Sequence, residues 1–169
     1  MRVGEGKTMT TTLYRHTQAG TLMRAILGAV ALIAFGALVF FSLRFNPVGL
    51  GMSSVMLVVF SVSLLLFHSL TVTVSDEALE LRFGVGLIRK SYAMSDVVSC
   101  NIVKNSVIQG WGIHWCGKDG WVYNVSGFDA VEVVMKDGRK ARIGTDMPRE
   151  LAAAINERLA ACKGKAERR

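Results

Sequence analysis

Two long stretches without a charged residue constrain this chain more than any other feature. No charge occurs from Ala25 to Leu43 or from Phe45 to Ser75. As a helix, the first stretch is about 28 Å long, close to the roughly 30 Å hydrocarbon thickness of a bilayer. The second contains a longer apolar segment, about Val48 to Leu70, which is also long enough. The sequence therefore predicts two transmembrane helices, at about 25–43 and 48–70.

The short connection between these helices predicts an antiparallel hairpin with both chain ends on one side. Asn46-Pro47 supplies its turn signal. Basic residues flank the hairpin on the terminal side, against only Arg44 in the loop, so the positive-inside rule places both termini in the cytoplasm. A cleaved signal peptide is the alternative for the first stretch, but Phe40-Phe41 near its end is a poor cleavage site.

The net charge of +7 lies outside the predicted soluble part of the chain. Residues 1–24 contribute +3, the hairpin loop +1 and the tail 163–169 another +3, whereas residues 71–162 are neutral. A neutral domain does not support a nucleic-acid-binding face. Basic flanks beside apolar spans orient a chain in a bilayer and contact anionic headgroups.

Residues 71–162 predict a sheet-rich domain that ends in one helix. Alternating apolar and polar residues around 70–75 and 79–83 predict paired strands. The clearest hairpin joins Val131–Lys136 to Arg139–Ile143 through Asp137-Gly138, a pair that suits a two-residue turn. Leu151, Ile155 and Leu159 recur every fourth residue and predict a helix after Asp146. We expect about seven or eight antiparallel strands, then the helix, then a flexible basic tail at 163–169.

Several short motifs follow one another along this domain. They are Ser95-Asp96-Val97-Val98, Gly120-Trp121-x-Tyr123-Asn124-Val125-Ser126-Gly127, Lys136-Asp137-Gly138-Arg139, and Arg142-Ile143-Gly144-Thr145-Asp146 before Pro148. After two apolar spans, this order resembles the bacterial pleckstrin-homology-like (PH-like) domain proteins with two N-terminal transmembrane helices, over roughly residues 71–160.

The resemblance implies an α+β, mainly β fold: a bent antiparallel barrel of about seven strands with a C-terminal capping helix. It also implies a bacterial inner-membrane location. Eukaryotic relatives often bind phosphoinositides through basic residues in the first hairpin loop. Asp76-Glu77 occupies that position here, so this ligand cannot be transferred to the chain.

The aromatic residues supply the main candidates for contact with a membrane or a partner. All three tryptophans lie close together in one predicted hairpin, where they could contact headgroups or a partner. The alternative is that these rings fill the domain core. Aromatic and basic residues just before the first span are expected at headgroup level. The candidate contacts are Tyr14, Arg15, Arg24, Trp111, Trp115, Trp121 and Tyr123.

Reactive side chains form no recognisable constellation. His114 and Cys116 share one face of a predicted strand, but two ligands are too few for structural zinc. Cys100 could join them only through tertiary contact, and no orienting acid is indicated for a Cys/His nucleophile. We therefore predict no catalytic, metal or cofactor-binding residue and no cofactor.

Three hypotheses of function follow from these features. The first is a non-enzymatic, membrane-anchored scaffold that presents the domain at the cytoplasmic face to a protein partner or to a second copy. The second is recognition of anionic lipid headgroups by the same domain. A small membrane enzyme ranks far below both, and nucleic acid is not an expected partner.

Overall fold

The computed structural model describes residues 11–106 and 109–166, with side chains described as far as Cys162. Two apolar helices are inserted between the first two strands, and sheets and a C-terminal helix follow. The first part contains β1 (Thr12–Ala19), α1 (Thr21–Leu43), α2 (Pro47–Phe67) and β2 (Ser69–Ser75). The second part contains β3 (Ala78–Phe83), β4 (Ile88–Ala93), β5 (Val97–Lys104), β6 (Gly112–Trp115), β7 (Trp121–Asn124), β8 (Asp129–Met135), β9 (Lys140–Gly144) and α3 (Pro148–Ala166).

Helices α1 and α2 form the hairpin that the uncharged stretches predict, and each is long and apolar enough to cross a membrane. Asn46 caps α2 by accepting a hydrogen bond from the Gly49 backbone N–H at 3.0 Å, and Pro47 occupies the first turn. Gly49 packs on Phe41 so closely that a Cβ would lie 2.5 Å from the ring. This glycine therefore allows the two helices to approach near their turn.

The strands form two separate sheets, which corrects the expected barrel. One sheet has the order β1-β2-β3-β4 and is antiparallel throughout. The other has the order β5-β8-β9-β7-β6, and its β7–β9 pair is parallel. Between β4 and β5, the short helix Met94–Asp96 moves the chain from one sheet to the other, with Met94 buried. Because β4 and β5 do not pair, no closed barrel exists in the described part of the chain.

A single apolar core lies between the sheets and beneath α3. The alternation in β2 and β3 buries one face of each strand, as the sequence predicts. The helical repeat of α3 places its three apolar residues in the same core. The core residues from these elements are Leu70, Val72, Val74, Leu79, Leu81, Phe83, Leu151, Ile155 and Leu159.

The hairpin of β8 and β9 has a three-residue connection rather than the expected two-residue turn. Gly138 N–H donates to the Met135 carbonyl at 3.0 Å, and Met135 N–H donates to the Arg139 carbonyl at 2.9 Å. Only Gly138 in this turn has a positive φ, of 81°. This pattern is a type I turn followed by a left-handed glycine, because Asp137 adopts no left-handed conformation.

The N-terminal strand β1 is absent from the sequence prediction, which assigned residues 1–24 to a basic segment. It pairs with β2 in antiparallel register from Thr12 opposite Ser75 to Ala19 opposite Ser69. Only Gly20 separates β1 from α1, and only His68 separates α2 from β2. The helical hairpin is therefore an insertion between two neighbouring strands of one sheet.

Candidate functional site

The turn between β3 and β4 lies against the last turn of α2. Gly84 makes this approach possible: a Cβ there would overlap the Leu65 carbonyl oxygen and lie 2.5 Å from that of Leu66. Gly84 N–H also donates to the Ser69 carbonyl at 2.8 Å. Because Leu65 and Leu66 end an apolar candidate span, the turn is at the level where that helix would leave the bilayer.

Two large apolar side chains project from this turn. Val85 is 60% exposed and Leu87 is 79% exposed, although both follow a strand whose alternate residues are fully buried. Within the described residues, these two side chains are therefore mostly left in contact with solvent. Beside the end of a membrane span, the same pair can contact lipid, because the surrounding medium there is apolar or interfacial.

Three arginines surround this turn, and we call the recess that two of them line, together with Arg89 on the lining residue Gly86, the arginine cleft. Arg15, Arg82 and the turn residues line a recess of about 180 Å³ on the outer face of the four-stranded sheet. Arg89 Nε donates to the Gly86 carbonyl at 2.6 Å, and a Cβ on Gly86 would lie 3.2 Å from Arg82 Nη2. Register explains the grouping, since Arg82 pairs with Arg89 across β3 and β4.

The arginine cleft carries positive charge that no ion pair neutralises in the described residues. None of its three arginines forms an ion pair with an acidic side chain within residues 11–106 and 109–162. Glu80 shares this sheet face: it lies in the same cross-strand row as Arg15, on the other side of Thr73, and one row farther from the turn than Arg82. Guanidinium groups bind phosphate through paired N–H donors, so the cleft suits an anionic group containing phosphate.

The three predicted contacts before the first span lie in different environments. Arg15 is exposed and lines the arginine cleft, whereas Tyr14 is half-buried and packs against the core. Burial raises the pKa of Tyr14, and the nearby charges of Glu150 and Asp146 raise it further. Arg24 is exposed on α1, where its Nε donates to the His68 carbonyl at 2.9 Å. Arg24 therefore links the first turns of α1 to the end of α2.

The tryptophan cluster separates into two surfaces. Trp111 lies at the end of the domain next to the helices: its Nε1 donates to the Gly127 carbonyl at 3.3 Å, and its ring is 5.9 Å from that of Phe128. Trp115 and Trp121 pair at the opposite end of β6 and β7, about 13 Å away along the strands. Their rings are 5.9 Å apart, and they are 57% and 42% exposed.

Tyr123 is the member of the aromatic group that fills the core. It is 3% exposed, and its hydroxyl lies 2.8 Å from that of Tyr92. Burial raises the pKa of both phenols, so both stay protonated at neutral pH and one donates to the other. The hydroxyl pair connects the two sheets through their facing strands β4 and β7.

The structure does not bring Cys100 into one site with His114, whereas Cys116 follows His114 by two residues, just after β6. Cys100 lies in β5 and His114 in β6, which are opposite edges of the five-stranded sheet. Burial raises the pKa of the Cys100 thiol, so this cysteine is a poor nucleophile. Within residues 11–106 and 109–166, no three His, Cys, Asp or Glu side chains are grouped as metal ligands.

The five-stranded sheet carries a charged network, of which the sequence predicts only one of two contacts. Arg142 lies between two acids, with Nε 2.9 Å from Glu132 Oε2 and Nη2 2.8 Å from Asp119 Oδ1. The sequence indicates that Glu132 can pair across the hairpin with the face that holds Lys140 and Arg142, and the observed register makes Glu132 the direct neighbour of Arg142. It gives no sign of Asp119, which reaches Arg142 from a different turn. All three side chains are mostly buried, so removal of one partner would leave an unpaired buried charge.

Comparisons with protein-family models, with curated proteins and with solved structures give no match to this chain.

Proposed function

We propose that this chain is a non-enzymatic, membrane-anchored binding module whose sheet domain recognises anionic lipid headgroups through the arginine cleft. The observation that carries the proposal is the position of the cleft: three arginines without acidic partners surround a turn that packs on the end of α2. The remote alternative, a small membrane enzyme that uses His114 and Cys116, has only the proximity of these two residues in the sequence in its favour.

The layering of apolar and basic residues supports contact with a bilayer. Val85 and Leu87 form the tip of the turn, and the arginine side chains lie immediately beyond it. Apolar residues favour the acyl boundary, whereas guanidinium groups favour the headgroup layer just outside. A basic residue near an anionic membrane surface contributes about 1 kcal/mol.

The sidedness of the domain is part of the same proposal. Strand β1 pairs with β2, so the segment before α1 and the domain after α2 lie at the same end of the helical hairpin. Basic residues are concentrated at that end, which favours the cytoplasmic face of a bacterial inner membrane. The two sheets and terminal helix are compatible with the proposed PH-like relationship.

The test compares phosphatidylglycerol with phosphatidylcholine of the same acyl chains on the full chain in mild detergent. Native mass spectrometry measures how much of each lipid stays bound. The double variant Arg15→Gln/Arg82→Gln is expected to lose about 30-fold in phosphatidylglycerol affinity, since two basic contacts of about 1 kcal/mol each are removed.

Arg139→Gln is the matched control, because Arg139 is also an exposed arginine but lies in the turn between β8 and β9. It should retain the wild-type preference. Equal retention of the two lipids by the wild-type chain would refute lipid recognition. An equal loss in the control and the double variant would refute the assignment to the cleft.

A protein partner or a second copy remains a second candidate because of the exposed Trp115 and Trp121 pair. Partner interfaces are enriched in tryptophan, and these rings lie on the edge strand β6 and its neighbour, away from the helices. Chemical crosslinking and native mass measurement of the full chain test this candidate. Wild type that stays monomeric, without a co-purifying protein, would argue against it.

A further inference from the structure

A second recess lies at the helix-proximal end of the domain, on the other side of β1 from the arginine cleft. It has a volume of about 310 Å³ and opens between the start of α1, the β7–β8 loop and the end of β9. We call it the polar recess. Its polar wall residues are Gln18, Thr21, Ser126, Asp129, Thr145 and Asp146.

Contacts with α1 place the polar recess at headgroup level. Thr21 is the first residue of α1, and its Oγ1 lies 3.0 Å from Ser126 Oγ on the recess wall. Arg24, the last charged residue before the apolar stretch, is three residues farther along the helix, or about 4.5 Å. The headgroup layer of one leaflet is about 5–8 Å thick, so the recess faces that layer.

The wall of the polar recess is rich in hydrogen-bond acceptors. It contains two carboxylates, three hydroxyl groups and one amide, and no lysine or arginine lines it. Asp146 Oδ1 lies 2.6 Å from His16 Nε2, and Asp129 Oδ1 lies 3.9 Å from Lys104 Nζ. Lys104 is 84% exposed, so its pairing is weak and leaves the Asp129 carboxylate available.

Gln18 contributes a further acceptor to the wall of the polar recess. Gln18 is only 6% exposed, and its Nε2 donates to the Ser126 carbonyl at 3.0 Å. This bond fixes the amide orientation and leaves Oε1 as a buried acceptor without a hydrogen-bond donor in the part of the chain that the structure describes. A buried acceptor is stabilised when a ligand supplies the missing donor.

We propose that the polar recess binds the primary ammonium group of an aminophospholipid headgroup. A primary ammonium provides a positive charge for Asp129 and Asp146 and N–H donors for Gln18 and the hydroxyl groups. An anion would meet two carboxylates. A divalent cation finds too few ligands, since no three acidic, histidine or cysteine side chains are grouped in the described residues.

The decisive comparison is phosphatidylethanolamine against phosphatidylcholine, because a quaternary ammonium has the same charge but no N–H donor. The full chain is loaded with equal amounts of both lipids with identical acyl chains, and native mass spectrometry follows the lipid retained during delipidation. We expect the wild-type chain to retain phosphatidylethanolamine about ten-fold more strongly, as a charge-assisted hydrogen-bond contact would provide. The variant Asp129→Asn/Asp146→Asn should lose this preference.

Asp137→Asn is the matched control, because Asp137 is an exposed aspartate in the β8–β9 turn at the other end of β8. It should behave as wild type. Free O-phosphoethanolamine as a competitor separates lipid from soluble ligand: displacement at equal concentration assigns recognition to the headgroup alone and overturns a lipid-specific site. Equal retention of the two lipids, an unchanged preference in the double variant, or loss of preference in the control would each overturn the proposal.

Discussion

Gly84→Ala should weaken the domain through two separable effects. Gly84 has φ of 47°, a left-handed conformation that costs an alanine roughly 1–2 kcal/mol. The new Cβ would also lie 2.5 Å from the Leu66 carbonyl oxygen, whereas ordinary van der Waals contact begins at 3.4 Å. The turn or the end of α2 must therefore move by at least about 0.9 Å, and by more to clear the nearer Leu65 carbonyl oxygen; overpacking of this kind costs roughly 1–3 kcal/mol.

Gly138→Ala separates these two effects, because Gly138 has φ of 81° but no heavy atom within 4 Å of its Cβ position. It should cost only the conformational term, roughly 1–2 kcal/mol. Gly84→Ala should therefore lower the free energy of unfolding by about 1–3 kcal/mol more than Gly138→Ala. At roughly 4–8 °C per kcal/mol, the difference in Tm is measurable.

The assay is thermal unfolding of the full chain in mild detergent, followed by tryptophan fluorescence. All three tryptophans lie between residues 111 and 121, so the signal reports the sheet domain rather than the helices. Equal Tm losses for the two alanine variants would refute the close packing of the β3–β4 turn on α2. Gly84→Ala should also reduce the phosphatidylglycerol preference, because the turn positions the arginine cleft, whereas Gly138→Ala should retain it.

Three further predictions concern stability and are measured by the same unfolding assay. Arg142→Met should destabilise the domain by about 3–5 kcal/mol, because Glu132 loses its buried cationic partner. Burial alone would raise the pKa of Glu132, but hydrogen bonds from Arg142 and Lys140 outweigh it and lower the pKa below the ordinary 4.5. Stability from this carboxylate is therefore present above pH 4.5 and is lost as pH falls through the lowered folded-state pKa, and Glu132→Gln should reduce this pH dependence. Tyr92→Phe should cost about 1–2 kcal/mol by leaving the buried Tyr123 hydroxyl unpaired, and an unchanged Tm would contradict the 2.8 Å contact.

The strands that the sequence predicts are those in which one face is buried. Leu79 and Leu81 alternate with Glu80 and Arg82, so β3 is recognisable from its pattern. Strand β1 has no such pattern because its inward-facing residues are Tyr14, His16 and Gln18, which are polar or amphipathic. Its pairing with β2 depends on backbone hydrogen bonds across an insertion of two helices, and local periodicity contains no information about that contact.

The sequence predicts which residues belong to the candidate sites better than it predicts which of them lie together. Arg15 and Arg82 are each expected near the membrane from their distance to a span, but their meeting in one cleft requires strand β1. The clustering of Trp111 and Trp121 is visible in the sequence, yet their separation onto two surfaces follows from the register of β6 and β7. The sequence thus identifies interfacial residue types, while topology decides which of them share a surface.

The insertion of the helical hairpin between β1 and β2 couples the helices directly to the four-stranded sheet. A single residue, Gly20 or His68, links each helix to its strand, and Gly20 N–H donates to the His68 carbonyl at 2.8 Å. Both helices are therefore coupled directly to adjacent strands, and a change in helix tilt must be transmitted to β1 and β2. A fragment that begins at residue 71 would lack β1 and would expose the backbone of β2 as a new sheet edge, which favours aggregation. Lipid and partner measurements therefore require the full chain, because the two apolar helices and the four-stranded sheet form one structural unit.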